Sequence, residues 1–426
     1  MRAIMDREQL VSMLSAKSEG KRIKAVKLLK RAEEDDSSLI PEVDMNGGTL
    51  SVHTYYSFSP YTPSLAAYMA YRSGLGCASV SDHDTLSGAD EFTAAAAILG
   101  MESSAGLQLR ARFYTGKGRW LNNFYERDIG FVAIRGIPER SWKSLNKRLE
   151  YIRKRRIARD ARMVEKFNNR LRKYDISINF EKEVVPLSKY GEGGTVTERH
   201  ILYTFAQKLI EKFGDAEAIK GFLTGELGIN IEEEFLPAIS DTANPYYAFD
   251  LLNCLKHETK FFYVNVDEME SIEDIVALAR EFGGLCTYTY VGERHKFYEN
   301  GVLVEKHEDE YLSEFISDLG RWGVDAIEYV PDAISEHKRE QITELARENG
   351  MFTLPCMDIN SPRQLFVQGK GLSEELSRNL WAVIGHAKSS QFDLSDGLNT
   401  EKSKEKNPNL EARLKLYAEI GKVSNV

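Results

Sequence analysis

Cys77-Ala78-Ser79-Val80-Ser81-Asp82-His83-Asp84-Thr85 is the stretch whose reading decides the fold. A short apolar run ends in two carboxylates around one imidazole, and Thr85 to Gly88 then turns into an alanine-rich helical segment over 89–99. The pattern is a strand delivering Asp82, His83 and Asp84 at its carboxyl end. In α/β barrels that end carries the chemistry, because the loops leaving the strands converge there. Three titratable groups in a row are costly to bury without a partner. A divalent cation is one such partner, since imidazole and carboxylate suit zinc, iron or manganese. A solvated Asp-His-Asp turn capping the helix is the alternative reading.

Upstream, Gly47-Gly48 breaks the chain and Thr49-Leu50-Ser51-Val52-His53 alternates like a strand. Thr62-Pro63 opens a helix with a cap residue and a proline at its first position, and Gly74 closes it. Strand, loop and helix repeated in this order predict parallel pairing. Further strands are expected over 107–113 and 129–134. In the last third, helices over 272–282, 311–322 and 335–349 alternate with strands over 285–290, 325–330 and 351–355, as in (β/α) units. The last strand delivers Asp358, Asn360 and Arg363 to the same pole as His53 and His83.

Two stretches lie between these units. The texture changes from 141 to 173, where ten lysines and arginines between 153 and 173, Arg153, Arg156 and Arg159 among them, crowd one long helix striped by Val164, Phe167 and Leu171. This is either a solvated face or a basic wall beside an anionic ligand. Gly191-Glu192-Gly193-Gly194-Thr195-Val196-Thr197-Glu198-Arg199-His200 runs a glycine-rich loop into a helix, and backbone N–H groups at such a start favour an anion. Gly193, Gly194, Arg199 and His200 are therefore candidates.

The expected organisation is an α/β chain. A helical extension (1–43), expected to lie outside the main core, precedes the first part of the barrel (44–140), a basic helical insertion (141–182), the glycine-rich loop and helix start (183–204) and a helical insertion (205–262). The last part of the barrel (263–365) and a C-terminal helix with a polar, mobile tail (366–426) complete it. The chain has 426 residues, ample for a large core, and a net charge of −9, which argues against a nucleic-acid partner. Cys77, Cys254, Cys286 and Cys356 form no CxxC pair and read as reduced thiols, and no segment reads as a signal peptide or membrane span. The expectation is a cytoplasmic protein. His257, His295, His307, His337 and His386 read as surface or packing residues.

Taken together, these residues resemble the PHP (polymerase and histidinol phosphatase) family. Ser51-Val52-His53-Thr54 falls where that family has His-x-His-Thr, Ser81-Asp82-His83-Asp84 matches its Thr-Asp-His-Asp, and Asp358-Ile359-Asn360 falls at its terminal Asp-x-His. The resemblance implies a distorted TIM-like (β/α)7 barrel and a multi-metal centre hydrolysing phosphoesters through metal-bound hydroxide. It implies His53, His83, His200 and Asp358 as ligands of a divalent metal (Zn, Mn or Fe), with Asp82, Asp84, Gln108, Arg135, Gly193, Gly194, Arg199, Asn360 and Arg363 around them. The sequence departs from the pattern. Ser51 and Asn360 stand at histidine positions, Gln108 where a bridging glutamate is usual, Arg135 where a histidine is usual, and Phe58 near a usual aspartate or histidine. An amide cannot offset two divalent cations, whereas a fixed guanidinium at Arg135 offers a fork to phosphate but cannot generate hydroxide. The expectation is a thinned metal site that keeps its affinity for a small phosphorylated or anionic ligand, with weak or lost hydrolysis. The alternative is an active phosphoester hydrolase using one or two metals on the remaining ligands.

Overall fold

The structure, a computed structural model, describes residues 6–123, 126–256, 262–265, 269–292, 297–299, 302–304, 308–366 and 371–423. Seven strands form a nearly closed, barrel-shaped sheet: β1 (Asp44–Val52), β2 (Leu75–His83), β3 (Glu102–Arg112), β4 (Ile129–Ile137), β5 (Leu285–Thr289), β6 (Ala326–Tyr329) and β7 (Phe352–Pro355). They neighbour one another in sequence order. This is the distorted TIM-like barrel expected.

The local signals act as read. The Thr62 side chain accepts from Leu65 N–H ahead of helix Pro63–Arg72, Gly74 follows that helix in the left-handed region at φ 76°, and helix Ala89–Leu99 comes next. Helices Leu312–Trp322 and Glu336–Glu348 bring the chain back between the last strands.

One strand departs from the uniform parallel pairing. β4 runs antiparallel to both β3 and β5, while the other barrel pairs are parallel. The connection from 113 to 128 carries no helix among its described residues. Without a crossover helix the chain can only turn back beside β3, and antiparallel pairing follows.

Beyond β7 the chain meets the first strand again. Val52 bridges Ile359 in parallel, His53 N–H donates to Ile359 C=O at 2.9 Å, and Ile359 N–H donates to Ser51 C=O at 2.9 Å. This seam sets the end of the last strand against the end of the first.

Two other parts differ from expectation. The N-terminal helices Arg7–Met13 and Glu19–Asp35 belong to the main core, since Leu10, Leu14, Val26 and Leu29 share one apolar cluster with the barrel. The polar tail is ordered: helices Glu401–Lys406 and Leu410–Lys422 follow helix Glu374–Ser390. Composition hides a stripe of Leu414, Tyr417 and Ala418 there, which joins Trp381 and Ile384 over Leu50, Cys77, Leu285 and Phe352. The two long helices approach so closely that a Cβ on Gly385 would lie 1.8 Å from Tyr417 C=O. A second apolar cluster joins helices Glu150–Leu171, Glu198–Phe213 and Tyr247–Leu255 and reaches Phe58.

Candidate functional site

The seam gathers residues from both ends of the barrel at one mouth. His53 Nε2 lies 3.7 Å from Asp358 Oδ1, and the His53 and His83 rings are 4.9 Å apart. Gln108, opposite His83 on β3, donates its Nε2–H to Asp358 Oδ1 at 2.9 Å and lies 3.1 Å from Ser51 Oγ. The Ser51 hydroxyl donates to the same carboxylate oxygen. Burial pushes the Asp358 carboxyl up, but His53, Ser51 and Arg135 outweigh it and hold the group well below the usual carboxylate range. His83 is kept neutral, first by burial and then by His53 and Arg156.

His53 has a defined tautomer. Ser57 Oγ–H donates to Asp82 Oδ1 at 2.6 Å, so the 3.2 Å contact between Ser57 Oγ and His53 Nδ1 must use the imidazole proton. Nε2 faces Asp358 Oδ1 at 3.7 Å and is buried without a hydrogen-bond partner. Thr54 N–H and Oγ1–H both donate to Asp82 at 2.6 Å. Asp82 is therefore the buried anchor of the loop after β1. Burial raises its pKa despite these donors.

His200 has the opposite tautomer. Thr197 N–H donates to His200 Nδ1 at 3.0 Å in a capping box at the start of helix Glu198–Phe213. The neutral ring therefore carries its proton on Nε2, which is buried and without an acceptor. Burial, with Arg156 and Arg199 nearby, lowers its pKa to about 3. A metal-bound histidine instead donates from its second nitrogen. Phe58 stands edge-on to this ring at 5.0 Å, with φ 120°, a conformation costing a non-glycine residue about 1–3 kcal/mol.

Arg199 stacks on the same phenyl ring at 4.8 Å. Its hydrogen bond is a long one, 3.4 Å to Asn360 C=O, and Nε is buried without a partner. Burial lowers its pKa to about 10, Asp358 opposing.

Three arginines of helix Glu150–Leu171 turn towards the mouth, while Arg155, Arg162 and Arg170 are exposed. Arg153, Arg156 and Arg159 are buried. Arg156 Nη1 binds Asp84 Oδ2 at 2.6 Å and Nη2 lies 3.3 Å from Glu198. Arg159 reaches Glu198 at 2.7 Å and Asp160 at 2.6 Å, and Arg110 also pairs with Glu198. Although burial opposes it, the three guanidinium groups hold Glu198 well below the usual range.

Several expected residues are engaged elsewhere. Because β4 is reversed, Arg135 sits inside the barrel instead of at its mouth. Its Nε and Nη2 form a fork on Glu328 at 2.7 and 2.8 Å, and Nη1 binds Ser81 Oγ at 2.7 Å and Leu50 C=O. The fork that a phosphate would need is occupied. Gly193 and Gly194 do not cradle an anion, because their N–H groups donate to Tyr190 and Lys189 C=O. A Cβ on Gly194 would lie 2.0 Å from Ser188 C=O, so glycine is there for close packing. Arg363 binds both oxygens of Asp250, at 3.1 and 2.8 Å, and ties the loop after β7 to helix Tyr247–Leu255. Asn360 lies beside the seam, its C=O facing Arg199. His386 packs between Gly283 C=O and Leu398 N–H, and His337 is exposed. His257, His295 and His307 lie outside the described residues.

Sequence reasoning missed Ser57, Glu198 and Glu328. Glu328 carried a signal, a carboxylate in the middle of an apolar strand. Ser57 and Glu198 carried none beyond their place in candidate loops.

Among the described residues, no group of three or more His, Cys, Asp or Glu side chains could hold a metal ion. The donor set explains this: Asp358 Oδ1 already accepts from Ser51 and Gln108, Asp84 is neutralised by Arg156, and His200 directs an N–H inward. The multi-metal centre implied by resemblance does not fit these residues. No helix among the described residues is long and apolar enough to cross a membrane.

No protein-family model matches the chain, and no curated protein does. Among solved structures it is similar to one from Bifidobacterium adolescentis ATCC 15703, described provisionally as a metal-dependent phosphoesterase. The TM-score is 0.50 at 20% identity, covering 79% of this chain and 95% of that one. It is also similar to an amidohydrolase from Chromobacterium violaceum with bound sulfate and no metal. There the TM-score is 0.48 at 18% identity, covering 76% of this chain and 90% of that one. At such identities the first likeness is one of fold.

Proposed function

We propose that the barrel mouth binds a small phosphorylated or other anionic ligand and that hydrolysis there is weak or lost. The observation that carries this reading is a pair of contacts at the mouth: an amide, Gln108, donates to Asp358, and a guanidinium, Arg156, neutralises Asp84. Both supply hydrogen bonds or positive charge from the protein itself. Arginine is permanently charged and suited to phosphate, but it does not acidify water as a bound cation does.

The test is turnover of a generic phosphatase substrate with added manganese, zinc or iron, by wild type and His83→Ala, together with metal analysis. The expected result is no metal-dependent turnover with retained phosphate binding. Metal-dependent turnover that disappears in His83→Ala, or two or more tightly bound metals per chain, refutes the reading and returns the active hydrolase.

A further inference from the structure

We propose that His200 and Arg199 form an oxyanion-binding pair that takes the terminal phosphate of a phosphomonoester directly, without a bridging metal. The inference rests on the reading of the mouth as an anion site and names the groups that make the contact.

The first argument is the stranded imidazole proton. His200 is 1% exposed, Thr197 fixes its Nδ1 as an acceptor, and Nε2 finds no partner. A buried donor left unmade costs about 1–3 kcal/mol, and the ring cannot escape by changing tautomer without losing the Thr197 bond. An acceptor that arrives with a ligand removes that cost.

The second argument is Arg199. Its neighbours Arg110, Arg156 and Arg159 are held by carboxylates, whereas its polar contact is the long one to Asn360 C=O, and its Nε is buried without a partner. Both side chains touch one residue, Phe58, the guanidinium over the ring at 4.8 Å and the imidazole edge-on to it at 5.0 Å. Both belong to the first turn of a 16-residue helix, whose dipole favours an anion at that end. A fork, a ring N–H and a helix end supply donors of three kinds within one helical turn, a set suited to the several oxygens of a tetrahedral oxyanion. Asp358 keeps its charge and opposes an anion nearby, while its Oδ1 is engaged by Ser51 and Gln108. Phe58, held in a strained backbone conformation against both groups, is the side chain that must give way.

The experiment is calorimetric titration of the EDTA-treated full chain with inorganic phosphate, with acetate as comparison. Wild type should bind phosphate and prefer it to acetate. His200→Leu and Arg199→Gln should each bind about ten- to a hundredfold more weakly, the range expected for one hydrogen bond to a charged group. His200→Gln, whose amide can still donate, should stay within about threefold, and it guards against a mere folding defect. The ¹⁵N spectrum should show the His200 proton on Nε2, with that resonance moving on phosphate addition. Unchanged affinity in His200→Leu and Arg199→Gln, a proton on Nδ1, a preference for acetate, or phosphate binding that needs added zinc or manganese overturns the pair while leaving an anion site at the mouth. No phosphate binding by wild type, with or without metal, overturns the mouth reading and the pair together.

Discussion

Replacing Glu328 by glutamine strands the Arg135 guanidinium at the centre of the barrel. Arg135 is 0% exposed and Glu328 1%, and their two parallel bonds are 2.7 and 2.8 Å. Removing one partner of such a buried pair costs about 3–5 kcal/mol, because the other charge stays desolvated. Ser81 and Leu50 C=O still hold the guanidinium in Glu328→Gln, which places the loss near the lower end, about 3 kcal/mol. Arg135→Met leaves the carboxylate with Thr287 Oγ1–H at 2.7 Å and should cost a similar amount. The double variant Arg135→Met/Glu328→Leu removes both charges and should be more stable than either single one. Urea unfolding followed by circular dichroism measures this as a shift in midpoint at constant slope. Single variants within about 1 kcal/mol of wild type, or a double variant as unstable as the two losses summed, would refute the account of a desolvated, mutually dependent pair.

Three further outcomes are expected. His386 has its pKa lowered by burial to about 4, against an unfolded value near 6.5, so only the unfolded chain takes its proton between these values. Stability carried by this group is complete above about pH 6.5 and falls by about 1.4 kcal/mol per unit towards pH 4; His386→Gln should lose that part of the slope in unfolding titrations at several pH values. Glu91 accepts from Arg22 Nε at 2.7 Å and from Ser64 N–H and Oγ–H at 3.0 and 2.6 Å, so Glu91→Ala should lose about 3–5 kcal/mol and open the N-terminal helices to limited proteolysis. Unchanged protease resistance would count against that anchor. Gln108→Glu sets a second carboxylate against Asp358, which should raise the Asp358 pKa and increase zinc or manganese content by elemental analysis. Unaltered metal content in the folded variant would mean that Gln108 is not what keeps the cation out.

The elements legible in the sequence are those set by local chemistry. Thr62-Pro63 capped its helix, Gly74 followed its end, and Asp82-His83-Asp84 closed a strand at the mouth. The direction of β4 was not legible, because an alternating apolar run reads the same both ways and only the connection before it decides. Arg135 inherited that error of direction. The arginines of helix Glu150–Leu171 were ambiguous for another reason: the acids that bury them, Asp84 and Glu198, lie 72 and 42 residues from Arg156. The glycine pair was overread, since a packing glycine and an anion-cradling glycine look alike until neighbouring carbonyls are placed. His200 was singled out in the sequence, but its tautomer depends on the Thr197 amide, which sequence alone cannot orient.

The seam between the first and last strands has a kinetic consequence. Ser51 and Asp358 are 307 residues apart, so joining them closes one of the longest loops in the chain. Links of such separation are favoured last, after shorter loops have formed. A nascent polypeptide emerging from synthesis therefore exhibits no working cleft until its second half has arrived and the ring has shut. Ligand affinity would then report on completed assembly, and a half-made barrel would have nothing with which to compete for the metabolite.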